Sequence, residues 1–131
     1  MSALDSIAIQ TEIETGNFKP LLHEIRHALV LLAAGGDGVV IDLRSLPLAP
    51  GEEKRLEEAL GEGEIKAELD ALGPTRIVET AYPGVWLVTH WNTENEIIGR
   101  VIEVTRMPPL LAAQPEDIEA GLWRLKAELN E

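Results

Sequence analysis

The sequence predicts an α+β domain in two layers, a mainly antiparallel sheet running as a meander with about three helices packed on it. Two observations carry this. Residues 75–81, 85–91 and 96–105 are apolar-rich runs joined by Tyr82-Pro83-Gly84 and Asn92-Thr93-Glu94-Asn95. Connections of that length and turn chemistry join antiparallel neighbours. Two further segments, from Pro20 and from Pro115, open on proline and then carry apolar residues at helical spacing. The length, 131 residues, suits one core. Residues 1–18 are expected to form an N-terminal strand or flexible arm and residues 19–131 a single domain.

In the first segment Ile7, Ile9, Thr11 and Ile13 alternate with Ala8, Gln10 and Glu12, a strand pattern, although termini often fray. The helix from Pro20 buries Leu22, Ile25, Leu29 and Leu32, and Gly35-Gly36-Asp37-Gly38 ends it, since glycine accepts the left-handed cap conformation. Val39-Val40-Ile41-Asp42-Leu43 is a short β-branched run and reads as a strand buried on both faces. Pro47 and Pro50 interrupt regular structure. Glu52 to Leu60 reads as a short charged helix with Glu52 and Glu53 at its favoured acidic end and Gly61 at its stop. Glu64 to Leu72 alternates Ile65, Ala67, Leu69 and Ala71 with charged residues and is assigned as a strand, although Ile65, Leu69 and Leu72 also fit a helical stripe. The meander follows, Met107-Pro108-Pro109 breaks it, and a last helix from Gln114-Pro115-Glu116-Asp117 carries the stripe Ile118, Leu122, Leu125 and Leu129.

Bulk properties exclude several functions. Eleven Lys and Arg stand against 23 Asp and Glu, a net charge of -12, which argues against nucleic acid as a partner. The absence of cysteine rules out disulfides, a thiolate nucleophile and a cysteine-held cluster within the chain. Met1 to Asp5 has no basic n-region, so no signal peptide is expected. The longest apolar stretch, Ala28 to Ala34, is far short of the about 20 residues of a membrane span. A cytoplasmic protein with no membrane insertion is the expectation.

His23-Glu24-Ile25-Arg26-His27 matches H-E-x-x-H on a predicted helix. Two imidazoles four residues apart share one helix face and can hold zinc, with Glu24 polarising a bound water. That chemistry requires a third ligand. The extended pattern would place glycine and histidine where Val30 and Ala33 stand, and His90 lies far along the chain. A solvated helix face explains the motif more simply, and no resident metal or cofactor is expected; a small zinc hydrolase using His23, His27 and Glu24 is the alternative. Gly61-Glu62-Gly63-Glu64 lacks the lysine and hydroxyl of a phosphate loop and reads as a helix stop. The acidic run Glu52, Glu53, Glu57, Glu58, Glu62 and Glu64 reads as a solvated face. In Val85–Trp91, alternation sets Trp91 with Val85 and Leu87, and Trp86 with Val88 and His90, on opposite sides. Trp86, His90 and nearby Tyr82 are the candidate partner-binding residues, because aromatic side chains anchor interfaces.

Six blocks in order resemble one family: His23-Glu24-Ile25-Arg26-His27-Ala28-Leu29; Ile41-Asp42-Leu43-Arg44-Ser45-Leu46-Pro47-Leu48; Leu60-Gly61-Glu62-Gly63-Glu64-Ile65; Glu79-Thr80-Ala81-Tyr82-Pro83-Gly84-Val85-Trp86; Ile102-Glu103-Val104; and Gln114-Pro115-Glu116-Asp117-Ile118. Together they resemble the C-terminal region of the HupH/HyaF hydrogenase maturation proteins over about residues 19–130. Typical members are longer, and this chain corresponds to little more than their C-terminal region. The resemblance implies a non-enzymatic, chaperone-like assembly factor for nickel-iron hydrogenase. It implies action on the small subunit beside rubredoxin-like and thioredoxin-like helpers, and supplies no catalytic residues. A homodimer could replace the missing part, and a purely structural oligomerisation module is a further alternative.

Overall fold

A computed structural model describes residues 16–70 and 72–130. Of the N-terminal strand or flexible arm expected over residues 1–18, residues 1–15 lie outside the described residues. Helix α1 spans Phe18–Ala33 and buries Leu21, Ile25 and Ala28. It ends as the glycines require: Gly35 takes φ +87° and the Gly36 amide donates to the Leu31 carbonyl at 2.9 Å. Strand β1, Val39–Asp42, passes at Leu43 into a single 3₁₀ turn, where the Asp42 carboxylate accepts the Arg44 amide at 2.9 Å.

Helix α2, Pro50–Leu60, starts on a half-formed capping box. The Glu52 carboxylate reaches back to the Ala49 amide at 3.0 Å, while Ala49 has no side-chain oxygen to answer it. Four strands complete the sheet: β2 Lys66–Asp70, β3 Pro74–Glu79, β4 Val85–Trp91 and β5 Ile97–Val104. Their order is β1-β5-β4-β3-β2, and every pairing is antiparallel. The alternation in 64–72 was therefore a strand signal. Gly73 holds the β2–β3 turn at φ +114°, where an added Cβ would collide with the Trp91 carbonyl oxygen. Helix α3, Pro115–Glu128, follows a 3₁₀ turn at Pro109–Leu111.

Each sheet face carries its own apolar cluster. On one, Leu21, Ile25 and Ala28 of α1 and Leu56 and Leu60 of α2 pack on Ile41, Val85, Ile102 and Val104. On the other, Ile77, Trp86 and Val88 pack with Ala67, Leu69, Val101 and Leu111. One expectation is corrected. β1 is buried on a single face, with Ile41 inward and Val40 64% exposed. Among the described residues it pairs with β5 alone, at the edge of the sheet, so its β-branched residues reflect strand propensity and not enclosure by two layers.

Candidate functional site

The H-E-x-x-H residues lie on the outer face of α1. His23, Glu24 and His27 are exposed, and Ile25 between them is buried in the core. Among the described residues, no group of three or more His, Asp or Glu side chains comes together to hold a metal ion. The helix places these residues as its amphipathic period requires, with the apolar stripe inward and the motif's polar positions outward.

The aromatic candidates separate. β4 alternates as its sequence predicts, so Trp86, Val88 and His90 share one face while Val85, Leu87 and Trp91 share the other. Trp86 is only 4% exposed, and its indole Nε1 donates to the Thr105 carbonyl at 3.0 Å. The expectation of Trp86 at a contact surface is corrected: its hydrogen bond and its packing on Ile77 and Val88 make it a core residue. His90 is half-buried, with its Nδ1 2.8 Å from the Thr75 hydroxyl and its ring over Gly99, where an added Cβ would lie 3.2 Å from His90 Cδ2. Tyr82 is 51% exposed at the β3–β4 turn. That turn abuts the end of β5 through a Thr105 amide to Gly84 carbonyl bond of 2.8 Å, and Met107 just beyond it is also exposed. Among the described residues, Tyr82, Ile65, Val40 and Met107 are all exposed apolar side chains towards this end of the sheet.

On the same face as Trp86, Glu103 is half-buried and its Oε2 is sealed from water without a hydrogen-bond partner. Burial pushes its carboxyl above the ordinary value, and the charge of His90 offsets part of this.

A cleft of about 320 Å³ lies between α2 and the sheet. Leu56, Leu60, Leu87 and Ile102 give it an apolar lining, with Arg76 and Trp91 among its more accessible residues. Arg100 projects into it from β5 with its side chain only 16% exposed. One guanidinium nitrogen donates to Glu53 at 2.6 Å and another pairs with Glu57. The acidic run thus divides by role. Glu52 caps the helix inside the core, Glu53 and Glu57 hold Arg100, Glu62 meets Lys66 at 3.3 Å, and Glu58 and Glu64 are exposed. Sequence reasoning missed this arrangement. Its signal was a cation inside an apolar run, Ile97-Ile98-Gly99-Arg100-Val101-Ile102, and two carboxylates four apart on the neighbouring helix. The cleft can receive an apolar side chain; its charged groups are largely engaged with one another.

The model of the HupH hydrogenase expression protein, C-terminal conserved region, matches residues 15–131. The chain is 35% identical over 115 residues to hydrogenase expression/formation protein HoxQ of Azotobacter vinelandii, covering 84% of this chain and 40% of that one. It is 37% identical over 96 residues to hydrogenase expression/formation protein HupH of Rhodobacter capsulatus, covering 73% of this chain and 35% of that one. The chain thus spans well under half the length of these relatives. The solved structure of hydrogenase expression protein HupH from Thiobacillus denitrificans superposes with a TM-score of 0.85 at 36% identity, covering 89% of this chain and 98% of that one. The ordered blocks, the antiparallel sheet with three helices and the extent of these matches converge: the chain belongs to the HupH hydrogenase expression protein family, as its C-terminal conserved region.

Proposed function

We propose that this chain serves hydrogenase maturation as a chaperone-like binding protein, holding the immature small subunit of a nickel-iron hydrogenase. The observation that carries the reading is the family match over residues 15–131; relatives along this same stretch are named hydrogenase expression/formation proteins. The composition suits holding a client whose iron-sulfur clusters are being built. A chain without cysteine offers no thiolate to compete for iron. Its net charge of -12 favours a client with a basic surface. Tyr82 is the accessible aromatic among the expected contact residues, and His90 lies half-covered at the opposite end of β4. Among the described residues, no helix is long and apolar enough to cross a membrane; cytoplasmic action is part of the proposal.

The test is affinity capture from cells making hydrogenase, with wild type beside Tyr82→Ala. Recovery of the small subunit with wild type, and with it the rubredoxin-like and thioredoxin-like helpers, is the expected result. A drop of about 10-fold is expected for Tyr82→Ala, the loss of one exposed aromatic anchor. Failure of wild type to retain any hydrogenase subunit overturns the proposal; equal recovery by Tyr82→Ala removes that residue from it.

A further inference from the structure

Helix α3 leaves its apolar stripe in water. Ile118, Leu122, Leu125 and Leu129 are between 55% and 60% exposed, and Trp123 is 62% exposed. No residue of the helix is buried. An isolated helix of 14 residues is marginal in water, because most helical stability comes from packing an amphipathic face. The stripe therefore calls for an occupant.

The sequence of the helix indicates which. Ile118, Leu122, Leu125 and Leu129 fall at d, a, d and a of a heptad, the seam of a coiled coil. Glu119 and Lys126 then occupy the two e positions, and Gly121 and Glu128 the g positions. When two copies run antiparallel, Ile118 of each meets Leu129 of the other and Leu122 meets Leu125. The flanking e positions meet one another, so Glu119 of each copy faces Lys126 of the other, twice by symmetry. The g positions bring Gly121 to Glu128 without like-charge contact. Lys126 is already drawn over the Trp123 ring at 4.8 Å, on the side where Glu119 of a second copy would arrive. Among the described residues, Gly121 has only the tip of Arg124, 3.7 Å away, near the position a Cβ would take, so none of them crowds it. A parallel pair would bring the acidic openings Glu116 and Asp117 to the same end and align the helix dipoles side by side.

We propose that α3 is a self-association surface, joining two copies of this chain through an antiparallel helix pair with reciprocal Glu119–Lys126 contacts. Four half-exposed seam residues are less than the about 800 Å² per partner of a standard interface. The pair is accordingly weak and reversible, with dissociation on the order of 100 µM.

Sedimentation equilibrium of the full chain, from about 1 µM to about 1 mM at about 0.15 M salt, which screens the repulsion between two acidic copies, reads this directly. The mass should rise from that of one chain towards that of two. Leu122→Glu, at an exposed position, should keep the circular dichroism of the folded chain and raise the dissociation constant more than about 10-fold. Glu119→Lys and Lys126→Glu should each weaken association several-fold, and the double swap should restore it. A wild type that stays monomeric to 1 mM overturns the proposal, as does a Leu122→Glu variant that dimerises like wild type. Single swaps that weaken without recovery in the double overturn the antiparallel pairing. A monomeric wild type whose client capture is lost in Leu122→Glu assigns the stripe to the client instead.

Discussion

Trp86 and Glu103 oppose each other across β4 and β5, and their burial has different consequences. Trp86 combines apolar packing with a satisfied indole N–H. Trp86→Phe removes that bond, leaves the Thr105 carbonyl to find another donor, and opens space beside Ile77. A loss of about 1–3 kcal/mol in urea unfolding is expected; no loss would show that the bond and the packing are dispensable. Glu103 carries a raised pKa from burial, only partly offset by His90. Such a carboxyl binds more protons folded than unfolded between its unfolded value near 4.5 and its raised folded value. Stability contributed by this group is therefore present at low pH and is lost as pH rises through that window. Glu103→Gln removes the penalty. Its stability at about pH 7 should exceed wild type by less than about 1 kcal/mol, because water still reaches part of the side chain, and the two proteins should converge below about pH 4. Unfolding curves at both pH values check this, and a glutamine variant that is weaker at neutral pH would show that the carboxylate has a partner in solution.

Between elements, the tie of α2 to β5 runs through Arg100. Its two carboxylate partners are 35% and 40% exposed, so solvent screens the pair and its contribution is smaller than that of a sealed ion pair. Arg100→Met keeps the apolar length of the side chain but leaves Glu53 and Glu57 as an unpaired i, i+4 pair of like charges. The expected cost is about 1–2 kcal/mol. Adding Glu53→Gln and Glu57→Gln to that variant should recover part of it in thermal unfolding; no recovery would mean that the carboxylates do not act through Arg100. This tie also shows why some of the fold was legible and some was not. β3, β4 and β5 could be read locally, because Tyr82-Pro83-Gly84 and Asn92-Thr93-Glu94-Asn95 fix hairpins without reference to the rest of the chain. The side of each β4 residue followed from a two-residue period. The place of β1 was not local information: Val39 to Asp42 has the β-branched composition of an enclosed strand, and only its pairing to β5 from the far side of a crossover makes it an edge. Likewise Glu52, Glu53 and Glu57 form one acidic run in sequence, and their separation into a cap and an Arg100 pair depends on which side of α2 meets the sheet.

For the whole molecule, the excess of carboxylates sets how it would meet the client proposed for it. With 23 acidic against 11 basic residues, and with Arg100 and Lys66 among the basic ones already paired, the surface is strongly negative. Under the proposed function, a field of that sign would raise encounter rates with a basic client and leave short-range contacts such as the proposed one at Tyr82 to set how long the complex lasts. If the chain holds and releases a client as proposed, a fast, salt-sensitive approach coupled to a small apolar contact fits that task better than a large buried interface. The proposed contact surface was hard to read from sequence for the same reason: such a surface has no motif, and the most motif-like stretch, His23 to His27, carries its polar side chains on a helix face in water. The physical consequence is measurable. Association of the chain with a purified hydrogenase small subunit, followed by stopped-flow fluorescence, should slow by about 10-fold between about 50 and 500 mM salt while dissociation changes little. A flat association rate would place recognition in the apolar contacts alone, and an acceleration with salt would mean that the client surface is itself acidic, removing charge from the proposed mechanism.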